Sequence, residues 1–86
     1  MAEHKGDALE YINVKFLDMD DFIVQFKIKT DDSLIQLINH YCEINDLDKE
    51  EVRFRFYGQK IEEADTPSSL EMEEGDTIDV FKRQIG

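Results

Sequence analysis

Phe22-Ile23-Val24-Gln25-Phe26-Lys27-Ile28-Lys29 runs through Thr30-Asp31-Asp32 into Ser33-Leu34-Ile35-Gln36-Leu37-Ile38-Asn39-His40-Tyr41-Cys42-Glu43-Ile44, and the hydrophobic period changes on the way. In the first segment Val24, Phe26 and Ile28 alternate with Gln25, Lys27 and Lys29. A period of two puts apolar side chains on one face of a strand and solvated ones on the other. Beyond Asp32, Leu34, Leu37, Ile38 and Tyr41 recur at helical spacing, and Ser33-Leu34-Ile35-Gln36 has the spacing of a capping box. The stretch therefore predicts strand, turn, helix. On a helical wheel Ile35, Ile38 and Cys42 lie to one side of Leu34, with Leu37, Tyr41 and Ile44 to the other. Two readings fit that excess of apolar surface. Either the helix is deeply buried, or one flank packs the core while the other lines an open groove with strand 22–29.

Upstream, Ile12, Val14 and Phe16 alternate with Asn13 and Lys15 in a first strand that ends near Leu17. Asp18-Met19-Asp20-Asp21 is a short acidic turn, so the first two strands form a hairpin. Downstream, the helix ends near Asn45, where Asp46-Leu47-Asp48 closes it off. Val52-Arg53-Phe54-Arg55-Phe56 is the clearest alternation in the chain, and Tyr57-Gly58-Gln59 turns it into a brief fourth strand, Gln59-Lys60-Ile61. Thr66-Pro67 is a helix-start signal, N-cap then proline at the first helical position, for a single turn through Leu70. Glu74-Gly75-Asp76 leads into a last strand, Thr77–Phe81.

The order ββαββαβ, with one long helix and a short second one, is an α+β pattern. It predicts a mixed five-stranded sheet wrapped across the long helix, with the first and last strands side by side at its centre. Parallel neighbours need a long crossover, and residues 30–75 supply one. Residues 1–10 are polar and aperiodic and are expected to form a flexible tail. Residues 11–82 then make one domain, and 83–86 a short C-terminal tail.

With 86 residues the chain has room for one core but not for a core plus a deep catalytic cavity. A net charge of −11 argues against a nucleic-acid partner, since phosphates would be repelled, and favours a basic protein surface. The single cysteine rules out an internal disulfide and suits a reducing compartment, nucleus or cytoplasm. There is neither an apolar run of membrane-spanning length nor a signal-peptide core, so no membrane partner is expected. Cys42 and His40 stand two residues apart and point to different helix faces, so they make no nucleophile–base pair. Cys42 reads as a small buried hydrophobe and His40 as an exposed helix residue. Asp18–Asp21 lacks the glycine and distal glutamate of a calcium loop. No cofactor or metal is expected, and no enzymatic activity, for want of an activated nucleophile, metal cluster or phosphate loop.

Several blocks together resemble the small ubiquitin-like modifier (SUMO) family: Ile12-Asn13-Val14-Lys15, Val24–Lys29, Tyr41-Cys42-Glu43, Val52–Phe56, Gly58-Gln59, Asp65-Thr66-Pro67, Leu70–Glu73 and Asp76–Phe81. The resemblance runs without gaps from about Ile12 to Gly86 and implies the ubiquitin-like β-grasp fold. It also implies a protein tag, joined through its C-terminal glycine to lysines of covalent target proteins. A SUMO-activating enzyme, a SUMO-conjugating enzyme, ligases and proteases would be its handling partners, and the tag itself a monomer. The family's mature end is a Gly-Gly pair. Here Ile85 is followed by Gly86, the implied conjugation residue, and the expectation is a chain that stops one glycine short.

The same resemblance implies a groove between strand 2 and the helix that receives an extended apolar peptide, the SUMO-interacting motif, as an added strand. The matching positions are Gln25, Phe26, Lys27, Ile28, Lys29, Leu37, Tyr41 and Ile44, which favours the groove reading of the helix flank. Asp31, Gln36 and Ile44 stand where the family commonly places basic or imidazole side chains, implying a groove less attracted to acidic flanks. A second implied surface, for the conjugating enzyme, comprises Arg53, Gly58, Glu73 and Asp76, with Tyr57 where an acidic residue is usual. Lys5, before Gly6-Asp7, is a possible acceptor for self-linked chains. The competing reading is a ubiquitin-like interaction domain that is never attached to anything.

Overall fold

A computed structural model describes residues 11–82. Strands β1 (Tyr11–Leu17) and β2 (Ile23–Lys29) form an antiparallel hairpin, followed by helix α1 (Leu34–Ile44). A one-turn 3-10 helix at Lys49–Glu51 leads into β3 (Val52–Phe56), then β4 (Gln59–Lys60) and β5 (Thr77–Lys82). The sheet order is β2-β1-β5-β3-β4, with β1 and β5 parallel at the centre and the other pairs antiparallel. The five strands, the central parallel pair and the single long helix are as the sequence predicts.

The core follows the period-two pattern. Ile12, Val14 and Phe16 of β1, Val52, Phe54 and Phe56 of β3, and Ile78 and Val80 of β5 are all buried. Against them α1 buries Leu34, Leu37, Ile38, Tyr41 and Cys42. Phe16, with no exposed surface, is the hub of an aromatic cluster. Its ring stacks on Tyr41 at 4.9 Å and meets Phe26 and Phe54 edge-on at 5.4 and 5.8 Å. One side chain thus ties three strands to the helix.

The ends of α1 are explicit. Ser33 is the N-cap, its Oγ accepting from the Ile35 N–H at 3.2 Å and donating to the Glu63 carbonyl at 2.9 Å. The cap is as read, but its reciprocal half is not: no Gln36 side-chain bond to Ser33 occurs among the described residues, and Gln36 N–H bonds the Ser33 carbonyl instead. At the other end Asp46 takes φ 54°, its N–H reaches the Glu43 carbonyl, and Leu47 N–H reaches Cys42. This is a Schellman closure with aspartate where glycine is usual.

Three local expectations change. Thr66–Leu70 makes one hydrogen-bonded turn, with Thr66 Oγ1 accepting from Ser69 N–H at 3.0 Å, but it does not propagate into a helix. Pro67 is buried there, and Ser68 N–H bonds the Thr30 carbonyl, so tertiary bonds take over from the helical ladder. A 3-10 turn at Lys49–Glu51, capped by Asp48, lies between helix and strand where the sequence pattern shows only a loop. Ile61 falls outside β4 and is buried in the core.

Tyr57 and Gly58 both have positive φ, 51° and 79°, between β3 and β4. Two central residues of that hand make a type I′ turn, which asparagine-glycine fits best. Tyr57→Asn should therefore stabilise the domain by about 0.5 kcal/mol, the relief of the left-handed backbone being partly offset by loss of the ring contact with Phe56. A rise of about 2–4 °C in Tm is the expected readout; a fall would mean that the Phe56–Tyr57 contact outweighs the backbone strain.

Candidate functional site: the open edge of β2

Among the described residues β2 is an edge strand, and the register shows which of its backbone groups have no partner there. The Asn13 carbonyl accepts from Gly75 N–H at 2.8 Å, and Lys15 N–H donates to the Asp76 carbonyl at 2.9 Å. Asn13 and Lys15 therefore face the β5 side, and Ile12, Val14 and Phe16 face β2. Their partners are Ile28, Phe26 and Val24. It follows from strand alternation that Gln25 and Lys27 aim their N–H and C=O groups away from the sheet. Lys29 aims the same way, its carbonyl already accepting from Asp32 N–H at 3.1 Å. An open row of this kind is a template for another strand.

Side chains beside that edge supply pockets. Lys27, Ile28, Lys29, Asp32, Gln36 and Leu37 line a shallow recess of about 260 Å³ between β2 and α1. Phe26 is half-buried, supported edge-on by Tyr41 at 6.5 Å and flanked by the His40 ring at 5.4 Å. Lys27 and Lys29 each hold Nζ 5.9 Å from the centre of the Tyr11 ring on the outer face of the sheet. An added strand would thus find one recess with Ile28 and Leu37 as its apolar part, bordered by Tyr11, Lys27, Lys29, Asp32 and Gln36.

The eight positions expected at the groove are placed unevenly. Gln25, Lys27 and Lys29 are exposed on the edge strand, Phe26 is half-buried, and Ile28 and Leu37 form the floor of the recess. Tyr41 is only 2% exposed and belongs to the core, so that part of the flank follows the buried-helix reading. Burial pushes its phenol above the ordinary value, and the Asp18 charge adds to the rise. Ile44 stands 54% exposed at the end of α1, outside the recess. His40 is exposed on the helix, as expected, but its ring also lies edge-on to Phe26. On the helical wheel it stands next to Ile44 and Leu37, at the border of that flank, and this adjacency is the signal the sequence offers. Cys42 is buried and its thiol is pushed up by desolvation, which suits a packing residue and not a nucleophile.

The residues of the second expected surface are spread along β3 and β5: Arg53 lies opposite Phe81, at the far end of β5 from Asp76. Arg55 lies opposite Asp79, so the start of β5 runs beside the Tyr57-Gly58 turn and brings Asp76 toward Gly58. Arg53 and Glu73 are exposed and Asp76 is half-buried. Asp76 is partly committed already: its Oδ2 accepts from Glu73 N–H at 2.7 Å, closing the Glu73–Asp76 turn. The turn is pinned to β1 by Glu74, whose carboxylate accepts from the Asn13 amide side chain at 2.7 Å and its backbone N–H at 3.0 Å. The Asn13 side-chain bond, then the backbone bond, hold the Glu74 carboxyl below its ordinary value of 4.5. A lowered folded-state value stabilises the fold above the unfolded value and loses that stabilisation as pH falls through the folded one. Stability should therefore drop below about pH 4.5, and Glu74→Gln should flatten that part of the melting-against-pH profile. A variant profile identical to the parent's would detach Glu74 from the effect. Gly86 and Lys5 lie outside the described residues.

A sheet with a parallel central pair, wrapped on one helix and open at β2, defines a ubiquitin-like β-grasp protein. Consistent with that class, an archaeal ubiquitin from Caldiarchaeum subterraneum superposes with TM-score 0.79 over 88% of this chain and 98% of its own, at 15% identity, a likeness of fold alone. The family described as "Ubiquitin-2 like Rad60 SUMO-like" matches residues 12–81. Small ubiquitin-related modifier 3 of Gallus gallus is 52% identical over 77 residues, covering 90% of this chain and 82% of that one. Small ubiquitin-related modifier 2 of Homo sapiens is 51% identical over 82 residues, 95% and 86% of the two chains. The solution structure of SUMO from Trypanosoma brucei has TM-score 0.73 and 37% identity over 88% of this chain and 74% of its own. The chain belongs to the SUMO-like family of small ubiquitin-related modifiers.

Proposed function

We propose that this protein is a modifier attached through its C-terminal glycine to target lysines and read by apolar peptides that add a strand to β2. The reading is supported most directly by one observation: a backbone edge at Gln25 and Lys27, unpaired among the described residues, beside a recess that includes Ile28 and Leu37. Backbone hydrogen bonds would supply affinity there, and the recess would select the peptide's side chains. Membership of the modifier family supports attachment, which would be carried out by SUMO-activating and SUMO-conjugating enzymes, ligases and proteases acting on this chain. A tail lacking bulk at its end would thread a narrow channel and present an unhindered acyl carbon to thiol and amine nucleophiles. Arg53, Gly58, Glu73 and Asp76 are the proposed contact for the conjugating enzyme, in the nucleus and cytoplasm. Lys5 is the proposed acceptor for chains.

The test is a thioester assay with a SUMO-activating enzyme, ATP and Mg²⁺, on this chain and on a version extended by one glycine. A reducible adduct with the extended form supports the tag. No adduct with either form, alongside intact peptide binding at β2, would make the protein a non-conjugated interaction domain.

A further inference from the structure

The two strands at the centre of the sheet do not end together. Leu17, the last residue of β1, lies opposite Asp79, and β5 runs on through Val80, Phe81 and Lys82. Ile61 N–H bonds the Phe54 carbonyl, so Phe54 turns its backbone groups toward β4 and away from β5. Val80 and Lys82, opposite Phe54 and Val52, therefore turn theirs toward the β1 side of β5. At Lys82, however, β1 has already ended. The Lys82 N–H finds its acceptor instead in the side chain of Met19, whose Sδ lies 3.4 Å from the nitrogen. A thioether is a weak acceptor, and here it stands where a strand carbonyl would otherwise be.

Met19 is held in place by its own turn. Asp18 Oδ1 accepts from the backbone N–H of Asp20 at 2.8 Å and of Phe22 at 3.0 Å. Asp18 N–H reaches the Phe22 carbonyl, and Asp21 N–H the Asp18 carbonyl, both at 3.1 Å. Met19 is nevertheless 51% exposed, whereas Met72, the other methionine among the described residues, is 7% exposed and packed in the core. Susceptibility of a methionine to oxidation follows its exposure. We infer that Met19 is a redox modification site, converted by hydrogen peroxide to the sulfoxide while Met72 is spared, and that the change acts on the end of β5. A sulfur lone pair attacks one peroxide oxygen, and the S–O bond forms as the O–O bond breaks. The departing hydroxide takes the proton from the transferred oxygen and leaves as water. Sulfur gives up two electrons and the peroxide gains them. A thiol-dependent sulfoxide reductase reverses the step, two thiols becoming a disulfide as the oxygen leaves in water. The sulfoxide oxygen is a stronger acceptor than the sulfur and takes the Lys82 N–H at about 2.9 Å. Oxidation therefore replaces a weak bond by an ordinary one at the last residue of β5, beyond which residues 83–86 lead to Gly86. The inference does not depend on what Gly86 is joined to.

The experiment exposes the folded full chain to hydrogen peroxide and follows it by peptide mass spectrometry and amide ¹H–¹⁵N spectra. Met19 should gain one oxygen at least about tenfold faster than Met72, and the two should react alike in denaturant. On oxidation the Lys82 N–H resonance should move downfield, and its exchange with solvent should slow about threefold, the difference between a weak and an ordinary hydrogen bond. Met19→Gln, which sets an amide oxygen near the Lys82 N–H, should reproduce that shift without peroxide. Met19→Leu keeps the bulk but offers no acceptor, and should move the resonance the other way. Equal oxidation of Met19 and Met72 in the folded chain would overturn the inference. So would a Lys82 amide that is indifferent to oxidation and to both variants.

Discussion

Phe16→Ala should cost about 3–5 kcal/mol of stability and lower Tm by at least about 15 °C. The removed ring has no exposed surface and touches Phe26, Tyr41 and Phe54, so its loss leaves a void bordered by three strands and the helix. Three large aromatic rings held by separate elements cannot all close on the gap, which keeps the cavity term high. A domain of this size has only about 4–13 kcal/mol to lose, so a large part of the margin goes with one side chain. Phe81→Ala, on an exposed position, should stay within about 0.5 kcal/mol of the parent. Denaturant melts of the two variants check both figures; a Phe16→Ala loss under about 1.5 kcal/mol would show that the cluster repacks.

The second large effect is on binding. Lys27→Pro removes a backbone N–H that points out of the sheet and puts a ring in its place. The fold should survive, because proline is tolerated on an edge strand where the N–H faces solvent, at a cost of about 1 kcal/mol. Affinity for an extended valine-isoleucine peptide should fall by about 2–3 kcal/mol, since one hydrogen bond is lost and the peptide carbonyl is left without its donor. That is roughly 30–150-fold in Kd. Lys27→Ala separates the lost charge from the lost donor and should bind within about threefold of the parent, as exposed charge contacts are weak. Phe26→Pro should instead unfold the hairpin, because its N–H faces Val14. Calorimetric titration of the folded variants decides the point: undiminished binding by Lys27→Pro would remove the edge from the docking site.

The contrast between neighbouring residues 26 and 27 also marks where sequence reading stops. Alternation alone put Phe26 inward and Lys27 outward, because side-chain direction follows local period. Which backbone groups stay unpaired depends on the neighbour of β1 on its other side, and β5 is some sixty residues away in sequence. The helix shows a similar divide. Leu34, Leu37, Ile38 and Tyr41 are legible as apolar positions, but whether Tyr41 lines a groove or fills the core depends on Phe16 stacking against it. His40 was missed for the same reason, since its significance comes from Phe26 across the gap and not from its own neighbours. At Thr66-Pro67 the local signal was correct and the outcome differed. The cap and first turn form, and then bonds to Thr30 and burial of Pro67 compete with helix continuation.

The parallel pairing of β1 and β5 has a mechanical consequence. The two strands run the same way at the centre of the sheet, with Lys15, Phe16 and Leu17 beside Thr77, Ile78 and Asp79. A pull applied between the start of β1 and the end of β5 drives the strands past each other along their length. The bonds linking them are then loaded together in shear instead of being opened one at a time like a zip. Resistance to such a pull is governed by the unfolding rate and not by equilibrium stability. A load transmitted through the end of β5 therefore meets the sheet along its stiffest direction, whereas the same load applied across the β1–β2 hairpin would peel it from the edge.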